Sequence, residues 1–231
     1  FVGDPRPVVL DERRHTRPDI SNWNGRFRSA KAVVTPLHTQ YTVLSSARVS
    51  PPSVMTTDSF DLAEPELTAD DLLVLDDPHF GPGTVAVVTG AASGIGRATA
   101  LALAANGLTV VGADIDEPGL EKTKALATDL DAPGEMRPVP TDLTDTDDIE
   151  AMIETAAEWG DLRYVANIAG MQHIASIPDF PVEKYDLLLD IMLRAPFVTA
   201  KFAMPHIRAT DDGVGAIANM SSVHGHYATQ D

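Results

Sequence analysis

The sequence predicts an α/β fold: a doubly wound parallel sheet preceded by an irregular N-terminal extension. Three observations predict it. Short apolar runs alternate with helix-length segments from residue 84 onward. The run Val85-Ala86-Val87-Val88 leads directly into Thr89-Gly90-Ala91-Ala92-Ser93-Gly94-Ile95-Gly96-Arg97, the pattern of a buried strand, a glycine turn and a helix start. Glycines or polar residues then fall at the end of each successive strand, on the edge where open α/β sheets bind ligands.

Each element follows from local pattern. After the glycine turn, Ile95, Ala98, Thr99, Ala102 and Leu103 recur at helical spacing, and Gly107 stands where a left-handed C-terminal cap belongs. A second strand, Thr109-Val110-Val111-Gly112-Ala113-Asp114, ends on a carboxylate. A polar helix is expected near 118–129, then a short strand around 137–140 that leads to Asp142 and Leu143. Thr144 or Asp145 caps a helix reaching Trp159. The fourth strand, 163–167, ends in Ile168-Ala169-Gly170; a long amphipathic helix over 182–207 follows, with Pro196 as a local irregularity. Residues 214–220 form the fifth strand, ahead of Ser221 and Ser222. Single helices between strands imply right-handed crossovers and hence parallel pairing.

Composition bounds the function. Hydrophobic residues make up 44% of 231, enough for a sizeable core, and no apolar run is long enough for a membrane span. There is no cysteine, which rules out disulfides and thiolate metal sites and suits a cytoplasmic protein. Residues 1–54 carry eight Lys/Arg against four Asp/Glu, whereas 55–231 carry nine against thirty. The break falls at Met55, so 1–54 is expected to be a non-native or disordered extension, 55–83 an acidic lead-in, and 84–231 the nucleotide-binding domain. A transit peptide is the rival reading of 1–54, weakened by Asp4, Asp11, Glu12 and Asp19. The acidic remainder, with only Lys122, Lys124, Lys184 and Lys201 as lysines, repels nucleic acid and resembles the surfaces of proteins from salt-loving organisms.

The glycine turn carries the chemistry. Gly90, Gly94 and Gly96 permit a sharp turn, a close approach of bare backbone to a pyrophosphate, and tight helix–strand packing. The helix start at Ser93, Gly94 and Ile95 offers unpaired N–H groups to phosphate. Asp114, at the spacing of a ribose-binding carboxylate, completes a dinucleotide signature. No metal is expected. His224 and His226 lack a third ligand, and Asp142, Asp145, Asp147 and Asp148 lack the glycine and glutamate spacing of a calcium loop.

From residue 84 to 231 the chain resembles the short-chain dehydrogenase/reductase family. The resemblance rests on Thr89-Gly90-x-x-x-Gly94-Ile95-Gly96, Asp142-Leu143, Asn167-Ile168-Ala169-Gly170 and Asn219-Met220-Ser221-Ser222. It implies a Rossmann-type fold and hydride transfer between a nicotinamide and a carbonyl or alcohol carbon. It further implies that Asp142 contacts the adenine, that Asn167, Ala169 and Gly170 lie along the cofactor with Leu143, and that Ser222 is the catalytic serine. Two stretches, Ala169-Gly170-Met171-Gln172-His173-Ile174 with Asp179-Phe180-Pro181, and Ser222-Val223-His224-Gly225, are similar to NAD-dependent D-3-hydroxybutyrate dehydrogenases. That likeness implies that Gln172 and His224 hold a small substrate carboxylate, with homotetrameric assembly. Asp114 favours NAD, because a second negative charge at 4 Å is repelled by about 1–4 kcal/mol depending on dielectric; Arg97 is the residue able to soften that repulsion. Other short-chain reductases, acting on 3-oxoacyl or sugar-alcohol substrates, and a non-catalytic NAD-binding module are the alternatives.

Three departures qualify the resemblance. The family's Tyr-x-x-x-Lys is expected near 235–239, past Asp231, and Tyr227 with Asp231 four residues on is no substitute, since a carboxylate raises a phenol's pKa. The resemblance therefore implies that the sheet as given is incomplete on its C-terminal side and that the chain as given is inactive. Met192 stands where the family has an asparagine in the long helix, and Ile168 replaces the second asparagine of Asn-Asn-Ala-Gly.

Overall fold

A computed structural model describes residues 68–222. The 1–54 extension, Met55, His224, His226, Tyr227 and Asp231 lie outside the described residues. The elements are β1 (Thr84–Thr89), α1 (Gly94–Ala105), β2 (Thr109–Asp114), α2 (Glu117–Asp129), β3 (Glu135–Pro140), α3 (Thr146–Glu158), β4 (Asp161–Asn167), α4 (Val182–Leu189), α5 (Ala195–Ala209) and β5 (Ala216–Asn219).

All strand pairs are parallel and the sheet order is β3-β2-β1-β4-β5, the Rossmann-type order that winds outward both ways from a central first strand. The strand β1 is buried along its whole length, and its alternate residues serve two cores. Val85 and Val87 face α3 and α5 through Ile149, Ile153, Ala195 and Val198. Ala86 and Val88 face α1 and α2 through Ala100, Leu101 and Leu120. The small alanines on α1 and on that face of β1 bring the glycine-opened helix close to the sheet.

In β4 a strict two-residue period would send Leu162 and Val165 to opposite faces, yet both join the same core. The register with β1 shifts between Val85↔Leu162 and Ala86↔Tyr164, a bulge that absorbs Arg163. The Arg163 guanidinium is buried and satisfied by Asp212 at 2.5 Å, by Asp211, by Asp161 and by the carbonyl of Val214 at 2.9 Å.

Three expectations need correction. The fifth strand begins at Ala216 instead of 214, because Val214 is held out of the ladder by Arg163 and by Oδ1 of Asp212, which accepts its N–H. The third strand starts earlier, at Glu135. The long helix over 182–207 is two helices joined by a π-helical turn at Asp190–Arg194, and that turn, ahead of Pro196, is the irregularity. Proline at 196 has no N–H for the carbonyl of Met192, and the neighbouring Ala195 N–H bonds Asp190 O, five residues back. The lead-in after Thr68 contains one 3₁₀ turn, Ala69–Asp71, and is pinned to the end of α1, where Asn106 accepts from Leu75 N–H at 2.7 Å and donates to Leu73 O at 2.8 Å. Gly107 takes φ +87°, as a left-handed cap requires.

Candidate active site

The carboxyl ends of β1, β2, β3 and β4 open onto a crevice of about 520 Å³. Gly90, Ser93, Gly94, Ile95, Gly96, Asp114, Asp142, Leu143, Ala169 and Gly170 line it. Sequence reasoning missed Ile115, Thr141, Met171, Ile191 and Met220, which line it too. Ile115, Thr141 and Met220 each stand one residue past a strand end, Met171 follows the Ala169-Gly170 pair, and Ile191 comes from the π-helical turn at Asp190–Arg194, which nothing in the sequence ties to the strand ends.

The turn has its shape for steric reasons. A Cβ on Gly96 would lie 1.9 Å from the carbonyl oxygen of Gly90, so only glycine lets α1 start there. Gly90 takes φ +74°, and a Cβ on it would meet Cα of Ala169 at 2.9 Å. At Gly94 nothing lies within 4 Å of a Cβ position; the space there is open crevice. The first-turn amides of α1, which have no partner within the helix, open at this same point.

Both oxygens of Asp114 are fixed by backbone. Oδ2 accepts from Ala92 N–H at 3.2 Å and Oδ1 from Asp116 N–H at 3.1 Å. The Asp142 carboxylate accepts from the hydroxyl and the N–H of Thr144, at 2.7 and 2.8 Å, and these bonds hold its pKa below the usual carboxylate value. Thr89 caps the β1–β4 seam: its hydroxyl accepts from the N–H groups of Ile168 and Ala169 at 3.0 and 3.1 Å. The Ile168 side chain packs against the α1 core, so an apolar residue fits where the family has asparagine. Asn167 is buried and donates to Asn219 Oδ1 at 2.8 Å, its register partner on β5.

A second cavity of about 410 Å³ adjoins these strand ends. Asn167, Gln172, Met192, Ser221 and Ser222 line it together with Met171 and Met220. The structure thus places Gln172 and Ser222 on one cavity. The sulfur of Met192 lies 3.5 Å from where a Gly170 Cβ would be, filling the π-turn side of that cavity with a thioether.

The short chain dehydrogenase family model matches residues 84–230. The chain belongs to this family. Its relatives include a 3-oxoacyl-acyl-carrier-protein reductase of Thermotoga maritima, 33% identical over 146 residues (63% of this chain, 58% of the relative). A D-beta-hydroxybutyrate dehydrogenase of Cupriavidus necator is 35% identical over 147 residues (62% and 54%), and an uncharacterized oxidoreductase of Bacillus subtilis is 34% identical over 144 (61% and 54%). The chain spans less than two thirds of the length of these relatives. Short-chain dehydrogenases are oxidoreductases that bind NAD(P), and this crevice fits such a group: a glycine-opened helix start faces it, and a backbone-fixed carboxylate stands at its side. Among the described residues no helix is long and apolar enough to cross a membrane, and no cluster of three metal-ligating side chains occurs.

Proposed function

We propose that this short-chain dehydrogenase is NAD-dependent and acts on a small 3-hydroxy acid of the 3-hydroxybutyrate/acetoacetate type. The observation that carries the cofactor reading is Asp114, whose carboxylate lines the crevice beside the glycine turn with each oxygen already tied to a backbone N–H. A carboxylate so fixed accepts hydrogen bonds from ribose hydroxyls and repels a 2′-phosphate. The amides of Ser93, Gly94, Ile95 and Gly96 would hold the diphosphate, Asp142 and Leu143 would hold the adenine, and Asn167, Ala169 and Gly170 would hold the nicotinamide half. When bound, the nicotinamide supplies the two-electron chemistry. The protein's part is to orient the substrate: Ser222 hydrogen-bonds its carbonyl or hydroxyl oxygen, and Gln172 donates to its carboxylate, with His224 as the second donor. Support for this comes from the cavity that Gln172 and Ser222 share.

A second reading, a 3-oxoacyl substrate, is favoured by the thioethers of Met171, Met192 and Met220 in that same cavity, since methionines suit an aliphatic chain. Homotetrameric assembly is supported by the exposed stripe of Tyr185, Leu189, Leu193 and Phe197 along α4, the π-turn and α5.

Calorimetry tests the reading. NAD⁺ is expected to bind at least tenfold more tightly than NADP⁺, and D-3-hydroxybutyrate to bind the NAD⁺-saturated protein in a manner lost in Gln172→Ala. Equal heats for the two dinucleotides would remove the cofactor assignment. Unchanged hydroxy-acid binding in the variant would remove the carboxylate assignment and leave the acyl reading.

A further inference from the structure

The glycine turn meets its ligand through backbone, so what it offers depends on which way its peptide planes face. Two of its carbonyls point away from the crevice, into the α1–α2 interface. The carbonyl of Ala91 accepts from the hydroxyl of Thr123 at 2.8 Å, and the carbonyl of Ala92 accepts from Nη2 of Arg97. Nε of the same guanidinium donates to Thr123 Oγ1 at 3.0 Å. One hydroxyl and one guanidinium therefore hold both carbonyls and each other.

A trans peptide sets its N–H opposite its C=O. Holding the Ala91 carbonyl down turns the Ala92 N–H the other way, where it donates to Oδ2 of Asp114 at 3.2 Å. Holding the Ala92 carbonyl turns the Ser93 N–H outward, at a residue that is exposed on the wall of the crevice. Thr123 has no solvent exposure at all. One turn earlier on α2, Gly119 sits so close beneath that a Cβ there would lie 2.8 Å from Cβ of Ala92. The start of α2 is thus the floor on which the turn rests.

We propose that Thr123 and Arg97 are positioning residues for the dinucleotide: by fixing the 91–92 and 92–93 peptide planes they aim the Ser93 amide at the diphosphate and Asp114 at the ribose. The proposal rests on the cofactor reading above. It gives Arg97 a geometric role in place of a charge that admits a 2′-phosphate.

The test uses the full chain and NAD⁺ as the probe, with melting temperature measured beside every titration. Thr123→Val removes the hydroxyl at constant size and charge, and is expected to weaken NAD⁺ binding about five- to tenfold. Thr123→Ser restores the hydroxyl and is expected to bind within about twofold of the unaltered chain. Arg97→Lys keeps the charge but loses the fork; it is expected to weaken binding to a similar degree, by a factor that stays the same between 0.1 and 1 M KCl. Thr123→Val that melts earlier but binds NAD⁺ unchanged would show a purely structural hydroxyl and overturn the proposal. Arg97→Lys that binds like the unaltered chain would do the same, and it decides the matter should Thr123→Val fail to fold. No NAD⁺ binding by the unaltered chain would instead defeat the cofactor reading underneath.

Discussion

Nε2 of His79 lies 2.7 Å from Oδ2 of Asp212, and the other oxygen of that carboxylate accepts from the buried guanidinium of Arg163. A residue of the lead-in is thereby joined to the turn before β5 and, through it, to the bulge of β4. Nδ1 of His79 faces Asp77 at 3.3 Å, and the adjacent Phe80 meets Tyr164 edge-on at 5.4 Å. The charged groups in contact with the imidazole are therefore the carboxylates of Asp77 and Asp212, and Arg163 lies behind Asp212. The bond to Asp212 is the main reason that the pKa of His79 is raised above 6.5, while Arg163 is the main reason that Asp212 is held below the usual carboxylate value.

The signs follow from linkage. A raised histidine stabilises the fold fully below about pH 6.5, and that contribution is lost as pH rises through the raised value. A depressed aspartate contributes above about pH 4 and is lost as pH falls through its lowered value. His79→Gln should therefore melt earlier than the unaltered chain at pH 5–6, with the gap closing as the solution becomes alkaline. A gap of the same size at pH 9.5 would mean that shape, not charge, holds the lead-in.

Asp114 gives a second prediction. Asp114→Asn keeps an oxygen for the Ala92 or Asp116 N–H but removes the negative charge beside the ribose site. With about 1–4 kcal/mol of repulsion removed, NADP⁺ binding should improve by about fivefold or more relative to NAD⁺. An unchanged ratio of the two dissociation constants would mean that cofactor choice is made elsewhere in the crevice.

Two glycines of one turn should fail differently. Gly96→Ala drives a methyl to 1.9 Å from backbone that cannot yield, so α1 must shift and the chain should lose about 1–3 kcal/mol or more of stability together with cofactor binding. Gly94→Ala meets nothing within 4 Å, so its fold cost is the strain of φ +52°, about 1 kcal/mol, and its methyl stands in the crevice. Denaturant melts should separate the pair by stability, while NAD⁺ titration finds both impaired. Equal stability in the two variants would contradict the packing argument at Gly96.

These residues also show what the sequence made legible. Every strand end that forms the crevice was readable, because buried parallel strands are short apolar runs and a glycine turn marks its own geometry. The bulge at Arg163 was not, since a buried arginine leaves no periodic trace and is explained only by Asp211 and Asp212, nearly fifty residues later in the chain. Pro196 signalled a disturbed helix without its place, because the missing N–H is felt upstream, where Ala195 bonds Asp190 O. The bonds that Thr123 and Arg97 make to the glycine turn were hidden for a different reason: their partners there are carbonyls, and a sequence does not say which way a carbonyl faces.

The formal charge of −17 gives the last prediction. Much of the acid sits on exposed helix positions, such as Asp147, Asp148, Glu150 and Glu154 of α3, with few cations beside it. His206 meets Glu154 at 3.1 Å, and Lys124 meets Glu121 at 3.8 Å; such exposed pairs contribute little. Net repulsion therefore opposes the compact state, and screening relieves it: the Debye length falls from about 10 Å at 0.1 M salt to about 3 Å at 1 M. Melting temperature should rise steeply between 0.1 and 1 M KCl, then level off once charges on neighbouring turns no longer sense one another. Sodium sulfate at matched ionic strength should add a further increment, since it also strengthens apolar burial. A melting temperature that is flat across the KCl series would show that the acidic surface carries no net self-repulsion, and would remove the argument for a salt-adapted chain.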